Sequence, residues 1–226
     1  MFAYLFWQTI GGFFCMSKSI LFIDPGHAFG VENYTHPFMQ QHFDFVDMYD
    51  FTQIDLTPYK AIVVHDFVDQ IYLANNREII EHFLHAGNIV IWSGHLTTHW
   101  LPGCALFQPK PIEKFSDYNI SIVEPHEVFD GVTTDDMTLN KGVAGFFARG
   151  AHLPLPANAQ PLLTLPNGFV TTYIDRHTTN GTLFVHAGRD LFSQRDQNKT
   201  TDRIHTQLLA WIHEEHARIQ GGRRHA

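Results

Sequence analysis

The sequence predicts an α/β fold in which a largely parallel sheet carries helices on both faces, and three observations lead to it. Four short runs, Ser19-Ile-Leu-Phe-Ile-Asp24, Ala61-Ile-Val-Val-His-Asp66, Asn88-Ile-Val-Ile-Trp-Ser-Gly-His95 and Thr182-Leu-Phe-Val-His186, stay apolar until they stop at histidine, aspartate or serine. Unbroken Val/Ile/Leu/Phe runs fit strands buried on both faces, as in a parallel sheet. A helix-like segment separates the second run from the third, which is the strand–helix–strand order of a βαβ unit. Finally, no Gly/Ser-rich or Pro-rich linker divides the 226 residues, a length that one domain with a sizeable core accommodates.

Taken in order, the first strand ends at Asp24 and leads into the turn-rich Asp24-Pro-Gly-His-Ala-Phe-Gly30. Pro37 to Phe43 suits a short helix, and Phe45–Tyr49 a second strand. After the third strand, Ala61–His65, Asn75 or Asn76 can cap a helix whose apolar face is Ile79, Ile80, Phe83 and Leu84; Gly87 supplies a left-handed stop. Strand four, Ile89–Trp92, follows at once. Leu101 to Pro166 is proline-punctuated and reads as short strands (Ile120–Val123, Leu162–Leu165) joined by long loops over the active edge. Phe169–Asp175 and Thr182–His186 flank Arg176-His-Thr-Thr-Asn-Gly181, whose Asn-Gly signals a late antiparallel hairpin. The last helix starts near Thr201 and buries Ile204, Leu208, Trp211 or Ile212, and Ile219.

Composition removes some classes of function. A net charge of −8, with no basic run outside Arg223-Arg224, argues against nucleic acid as a partner. Two cysteines, Cys15 and Cys104, provide neither a disulfide framework nor a CxxC metal site, which suits a cytoplasmic protein. Met1 to Cys15 is apolar and uncharged. It lacks a basic n-region and a small-residue cleavage site and is shorter than the roughly 20 residues of a membrane span, so no stable membrane insertion is expected. Met16-Ser-Lys-Ser19 resembles a natural start, so residues 1–15 are read as an apolar extension and 221–226 as a flexible tail.

Strands of a parallel sheet present their carboxyl ends along one edge, and ligands bind in the crevice outside it. Asp24, His27, His65, Asp66, Ser93, His95, His186 and Asp190 are therefore expected to converge although they are scattered along the chain.

Several of these segments resemble one family. Gly87-Asn-Ile-Val-Ile-Trp-Ser-Gly-His95, then His126-Glu-Val-Phe-Asp-Gly131, Gly181-Thr-Leu-Phe-Val-His-Ala-Gly-Arg-Asp190 and Leu208-Leu-Ala-Trp-Ile212 follow the motif order of the ThuA-like group within the class I glutamine amidotransferase-like superfamily. The resemblance implies a flavodoxin-like sheet, a single domain over residues 16–220 and a carbohydrate-related substrate. It also exposes departures. Class I amidotransferases place a nucleophilic cysteine in a Gly-x-Cys-x-Gly elbow; here Ser93 stands near that position beside Trp92, and no glutamate follows His186 by two residues. Glutamine hydrolysis by a cysteine triad is not expected.

Three chemical readings are open at this edge. In the first, His186 takes the proton of the Ser93 hydroxyl and Asp190 orients the imidazole. In the second, Asp24, His27, His65 and Asp66, with His95 near them, hold zinc or a similar divalent ion whose hydroxide attacks an ester, lactone or amide. In the third, the edge binds a ligand without catalysis. His95, Arg149, Phe147 and Arg189 are the candidate substrate-binding residues, with Phe146 and Phe147 forming an apolar wall and arginine meeting a carboxylate or hydroxyls. The preferred expectation is a small-molecule hydrolase with no required cofactor beyond an optional divalent ion, in a chain able to form a homo-oligomer. The alternative is a binding or sensing module that has lost the cysteine triad.

Overall fold

The computed structural model describes residues 18–223; the apolar extension and the last three residues of the tail lie outside the described residues. Strand β1 (Ile20–Asp24) leads through a single 3-10 turn into helices α1 (Val31–Thr35) and α2 (Pro37–His42), and β2 (Asp44–Asp47) follows. Next come β3 (Ala61–His65), α3 (Gln70–Asn75), α4 (Arg77–His85) and β4 (Ile89–Ser93). The middle of the chain holds β5 (Phe107–Pro109), β6 (Ser121–Ile122), α5 (Thr134–Thr138), β7 (Leu139–Asn140), β8 (Val143–Ala144) and β9 (Gly150–His152). It closes with β10 (Gln160–Leu165), β11 (Phe169–Asp175), β12 (Thr182–His186) and the long helix α6 (Ile204–Arg223).

Eight strands form one sheet in the order β2-β1-β3-β4-β12-β11-β10-β6, with β5–β9 and β7–β8 as two separate ribbons. The first five strands of that order are parallel, the 2-1-3-4-5 winding of flavodoxin-like folds, and β11, β10 and β6 continue it antiparallel. Alternation sends Ile20, Phe22, Val63, Ile91 and Phe184 to one face, against Met39 and Phe43 and the Ile204, Leu208, Trp211 and Ile212 stripe of α6. The residues between them, such as Leu21, Val64, Trp92 and Val185, pack on the opposite face against Leu73 of α3 and Ile80, Phe83 and Leu84 of α4. Each such side chain contributes about 1.5–3 kcal/mol when removed from water, which is why the doubly covered runs are the strands of the centre.

Several expectations are corrected. A helix α3 precedes the expected one, capped by Asp69, whose carboxylate accepts from Ile71 N and Tyr72 N. Asn76 is the N-cap residue of α4, as expected, but its side chain does not cap that helix; the amide donates to the Tyr72 carbonyl at 2.8 Å and closes α3. Strand β2 stops at Asp47 because the Asp47 carboxylate turns the chain by accepting from Tyr49 N. Residues 176–181 make a wide turn in which Asp175 accepts from His177 N and Thr178 N, with no left-handed residue. Gly181 is required there for another reason, since a Cβ would collide with the Asn88 and Leu84 carbonyls. Helix α6 continues through Gly221 and Gly222 into the segment read as tail. On α6 the buried Glu215 accepts from Arg176, Arg218 and Thr182, tying the helix to the β11–β12 turn.

Candidate functional site

Because β3, β4 and β12 are adjacent and in register, Ser93 pairs with His65 on one side and His186 on the other. The strand ends therefore do converge. They converge inside the protein, however, with His65 3%, Ser93 1% and His186 0% exposed.

That burial removes the Ser93–His186–Asp190 relay. The two nitrogens of His186 are already committed, Nδ1 to the Thr172 hydroxyl at 2.8 Å and Nε2 to the Phe147 carbonyl at 3.1 Å. A carbonyl only accepts, so Nε2 carries the proton and Nδ1 accepts from Thr172. Burial keeps this imidazole neutral, with a pKa pushed down to about 3. The Ser93 Oγ meets the Leu191 N–H at 3.5 Å and makes no bond to His186. Asp190 is turned away from His186, accepting from Asn33 Nδ2 and Phe192 N, and burial raises its pKa. The next residue, Gly94, has φ +150°, and a Cβ there would lie 2.8 Å from the Trp92 ring and 3.2 Å from the Asp66 backbone. Cys104 is no substitute: burial pushes its thiol up to about 12, although Tyr173 donates to it.

Asp24, His27, His65 and Asp66 gather at the β1/β3 switch point. The His27 and His65 rings lie 5.7 Å apart and His65 Nδ1 meets Asp66 Oδ1 at 3.2 Å, but Asp24 accepts from the Gly26 N–H in its own turn. Among the described residues no group of three or more His, Cys, Asp or Glu side chains is placed to hold a metal ion. The residues do not fit the divalent site expected of them, and no step is derived through one.

One step along the chain the geometry reverses. Where His65 and Ser93 point inward, Asp66 and Gly94 face a crevice of about 410 Å³ outside the carboxyl edge. Gly188, just past β12, completes its floor. Its walls are Phe67 and Gln70 after β3, His95 after β4, Phe146 and Arg149 from the loop between β8 and β9, and Arg189. That loop is anchored by the Phe147 carbonyl, which accepts from both His186 Nε2 and Arg189 N, and by a bridge between Ala148 and Gly188. Only glycine permits the contact, since a Cβ at 188 would overlap the Phe147 carbonyl.

Three of the four expected substrate-binding residues, His95, Arg149 and Arg189, line this crevice; Phe147 does not. Phe147 is 1% exposed and packs edge-on against His186 at 4.8 Å, so of the two phenylalanines expected in the apolar wall only Phe146 lines the crevice. The Arg189 guanidinium lies over the Phe146 ring at 4.5 Å. His95 stacks on Phe107 with centroids 3.7 Å apart and planes at 15°. Gln70 clamps its loop by donating to the His95 carbonyl at 2.8 Å and accepting from Thr97 N at 2.8 Å. Burial, and then the Arg149 charge, hold His95 below the usual imidazole range against the pull of Asp66. Beneath it His152 faces two carbonyls, Gly94 O at 3.0 Å and Ala105 O at 3.1 Å. Two acceptors favour an imidazolium, yet burial dominates and its pKa falls to about 4, so a single ring N–H serves one carbonyl at a time.

Sequence reasoning missed Gln70, Phe67 and Gly188. Gln70 carries no local signal, but Gly188 and Phe67 lie within three residues of strand ends, where the floor and lip of such a crevice are built.

No protein-family model matches the chain, and no curated protein is significantly similar to it. Among solved structures, a Thermoplasma acidophilum protein provisionally described as a GMP synthase subunit superposes with a TM-score of 0.58 at 10% identity, over 91% of this chain and 98% of that one. A GH42 β-galactosidase, Gan42B of G. stearothermophilus, and its catalytic mutant reach 0.42 at 12% identity, over 87% of this chain and 30% of the enzyme. The first likeness is one of fold: this chain shares with that protein a flavodoxin-like α/β architecture.

Proposed function

We propose that the chain is a small-molecule binding module on the amidotransferase-like fold, and that its ligand is an anion held in the crevice between Arg149 and Arg189. The observation that carries this reading is the contrast at the strand ends. The hydroxyl and imidazole that nucleophilic hydrolysis needs are sealed and bonded elsewhere, whereas two guanidinium groups, one imidazole and one carboxylate line an open cavity. Guanidinium groups bind carboxylate or phosphate through paired N–H donors, and Asp66 can accept from a hydroxyl or amine on the same molecule. The ThuA resemblance adds polyhydroxylated, carbohydrate-related acids to the ligands worth testing.

One observation favours a second reading, a hydrolase working from His95. Its imidazole lines the crevice and is held neutral at pH 7 by burial, the state a general base requires. It would take a proton from a water whose oxygen adds to an ester, lactone or amide carbonyl, and return that proton to the leaving group.

Thermal unfolding in the presence of carboxylates, phosphates and sugar acids tests the first reading. A ligand at a hundredfold excess over its Kd stabilises by about 2.7 kcal/mol. Arg189→Ala and Arg149→Ala are each expected to weaken that ligand at least tenfold and to leave the midpoint of the free protein within about a degree. Arg149 is exposed, so its loss removes little packing. A shift that survives the double substitution, or no shift with any anion, refutes the reading. Turnover of an ester, lactone or glycoside panel that disappears in His95→Gln establishes the second.

A further inference from the structure

Phe67 combines two unfavourable features at the lip of the crevice. Its φ is +71°, in the left-handed region that a bulky aromatic residue adopts only under strain. Its ring is also 62% exposed, so apolar surface that burial would stabilise is left facing water. The left-handed turn comes two residues after β3, where the chain must clear the edge before α3 begins, and Asn or Gly would make it at lower cost. The ring is held in place: His27 meets it edge-on, with centroids 4.9 Å apart and planes at 66°. Phe146 belongs to the same crevice, stiffened by the Arg189 guanidinium over its ring.

We infer that Phe67 is a specificity determinant that selects ring-bearing anions, stacking on a flat ring whose carboxylate or phosphate reaches Arg149 and Arg189. Strain at a binding lip is retained where the strained residue meets the ligand. An aromatic face takes an aromatic or heteroaromatic ring with little regard to its substituents, while the charged end sets orientation. The ligand chemistry is thus a planar ring carrying one acidic group, whether an aromatic carboxylate or a ring-bearing phosphate ester. This inference rests on the anion-binding reading above and names its ligand class.

The test measures binding of four probes to the intact chain by calorimetry: 4-hydroxybenzoate, a nucleoside monophosphate, succinate and glycerol phosphate. In the unsubstituted protein a ring-bearing probe is expected to bind at least tenfold more tightly than the ringless probe with the same acidic group, and the stronger pair identifies carboxylate or phosphate. Phe67→Asn is expected to abolish that preference while its unfolding midpoint stays equal to or above that of the unsubstituted chain, because asparagine accepts the left-handed backbone. Phe67→Tyr keeps the ring and is expected to keep the preference. A preference that persists in Phe67→Asn, or a midpoint that falls there as it would for a core residue, overturns the inference. Ringless and ring-bearing anions binding equally well refutes ring selection and leaves the anion site standing; no binding by any probe removes both.

Discussion

At the scale of single residues, His186 illustrates how a strand-end histidine becomes structural. Its ring is buried, accepts from Thr172 and donates to the Phe147 carbonyl, so replacing it takes the acceptor from the buried Thr172 hydroxyl and one of two donors from that carbonyl. Leaving buried partners unsatisfied costs about 1–3 kcal/mol. His186→Ala is therefore expected to lower unfolding stability by that amount in urea, and Thr172→Val by a similar one, while the folded Thr172→Val variant, which leaves the bond from His186 to the Phe147 carbonyl in place, keeps the anion affinity of the crevice. A catalytic or ligand-touching histidine would produce the reverse pattern. Arg149 and Arg189 stand on the other side of that division: exposed and half-buried, they face the cavity, and their removal is read in binding rather than in stability.

At the scale of elements, the decisive piece is the loop between β8 and β9, laid across the carboxyl edge by contact with Gly188. The bridge from Ala148 to Gly188 and the two bonds accepted by the Phe147 carbonyl place Phe146 and Arg149 over the crevice. A methyl group at 188 would occupy the position of that carbonyl and approach His186 Nε2 at 2.5 Å. Gly188→Ala is expected to lift the loop, weaken anion binding at least tenfold and raise amide exchange over residues 145–149, with exchange in β3 and β4 unchanged. Unaltered exchange would show that the loop does not depend on this contact. The loop ribbons were the least legible part of the chain in sequence. Their strands are two or three residues long, too short for a period to declare itself, and they are fixed by pairing with each other and by the packing of β9 on β11 rather than by local propensity.

For the whole molecule, the count of buried histidines sets the response to acid. His152 and His186 are fully buried and neutral, with pKa values lowered from 6.5 to about 4 and about 3, both chiefly by burial. Once unfolded, each takes up a proton near pH 6.5. The unfolded chain then binds more protons than the folded one, and stability falls as pH drops from about 6.5 toward 4. Each such histidine contributes a slope of up to about 1.4 kcal/mol per pH unit within that window. The half-buried His126, lowered to about 4 by burial and then by Arg176, acts in the same direction. Asp190 opposes them, because burial raises its pKa and so adds folded-state proton binding above its ordinary 3.8. Urea unfolding at pH 7, 6 and 5 is expected to show this loss, with a shallower slope in His186→Gln; equal slopes would refute the assignment. No helix among the described residues is long and apolar enough to cross a membrane.

The amino-acid sequence by itself determined the central sheet. β1, β3, β4 and β12 lie where their apolar runs place them, as do the buried faces of α4 and α6, because burial on both faces leaves a local, continuous signature. It also determined that the edge would be polar and that Arg149, Arg189 and His95 stood near it. Tertiary structure alone decided which polar residues meet a ligand. His65 and Ser93 end their strands inside the sheet while Asp66 and Gly94 are the first residues beyond it, so a single step separates sealed from crevice-facing positions, and whether a position is sealed depends on what the rest of the chain lays over it.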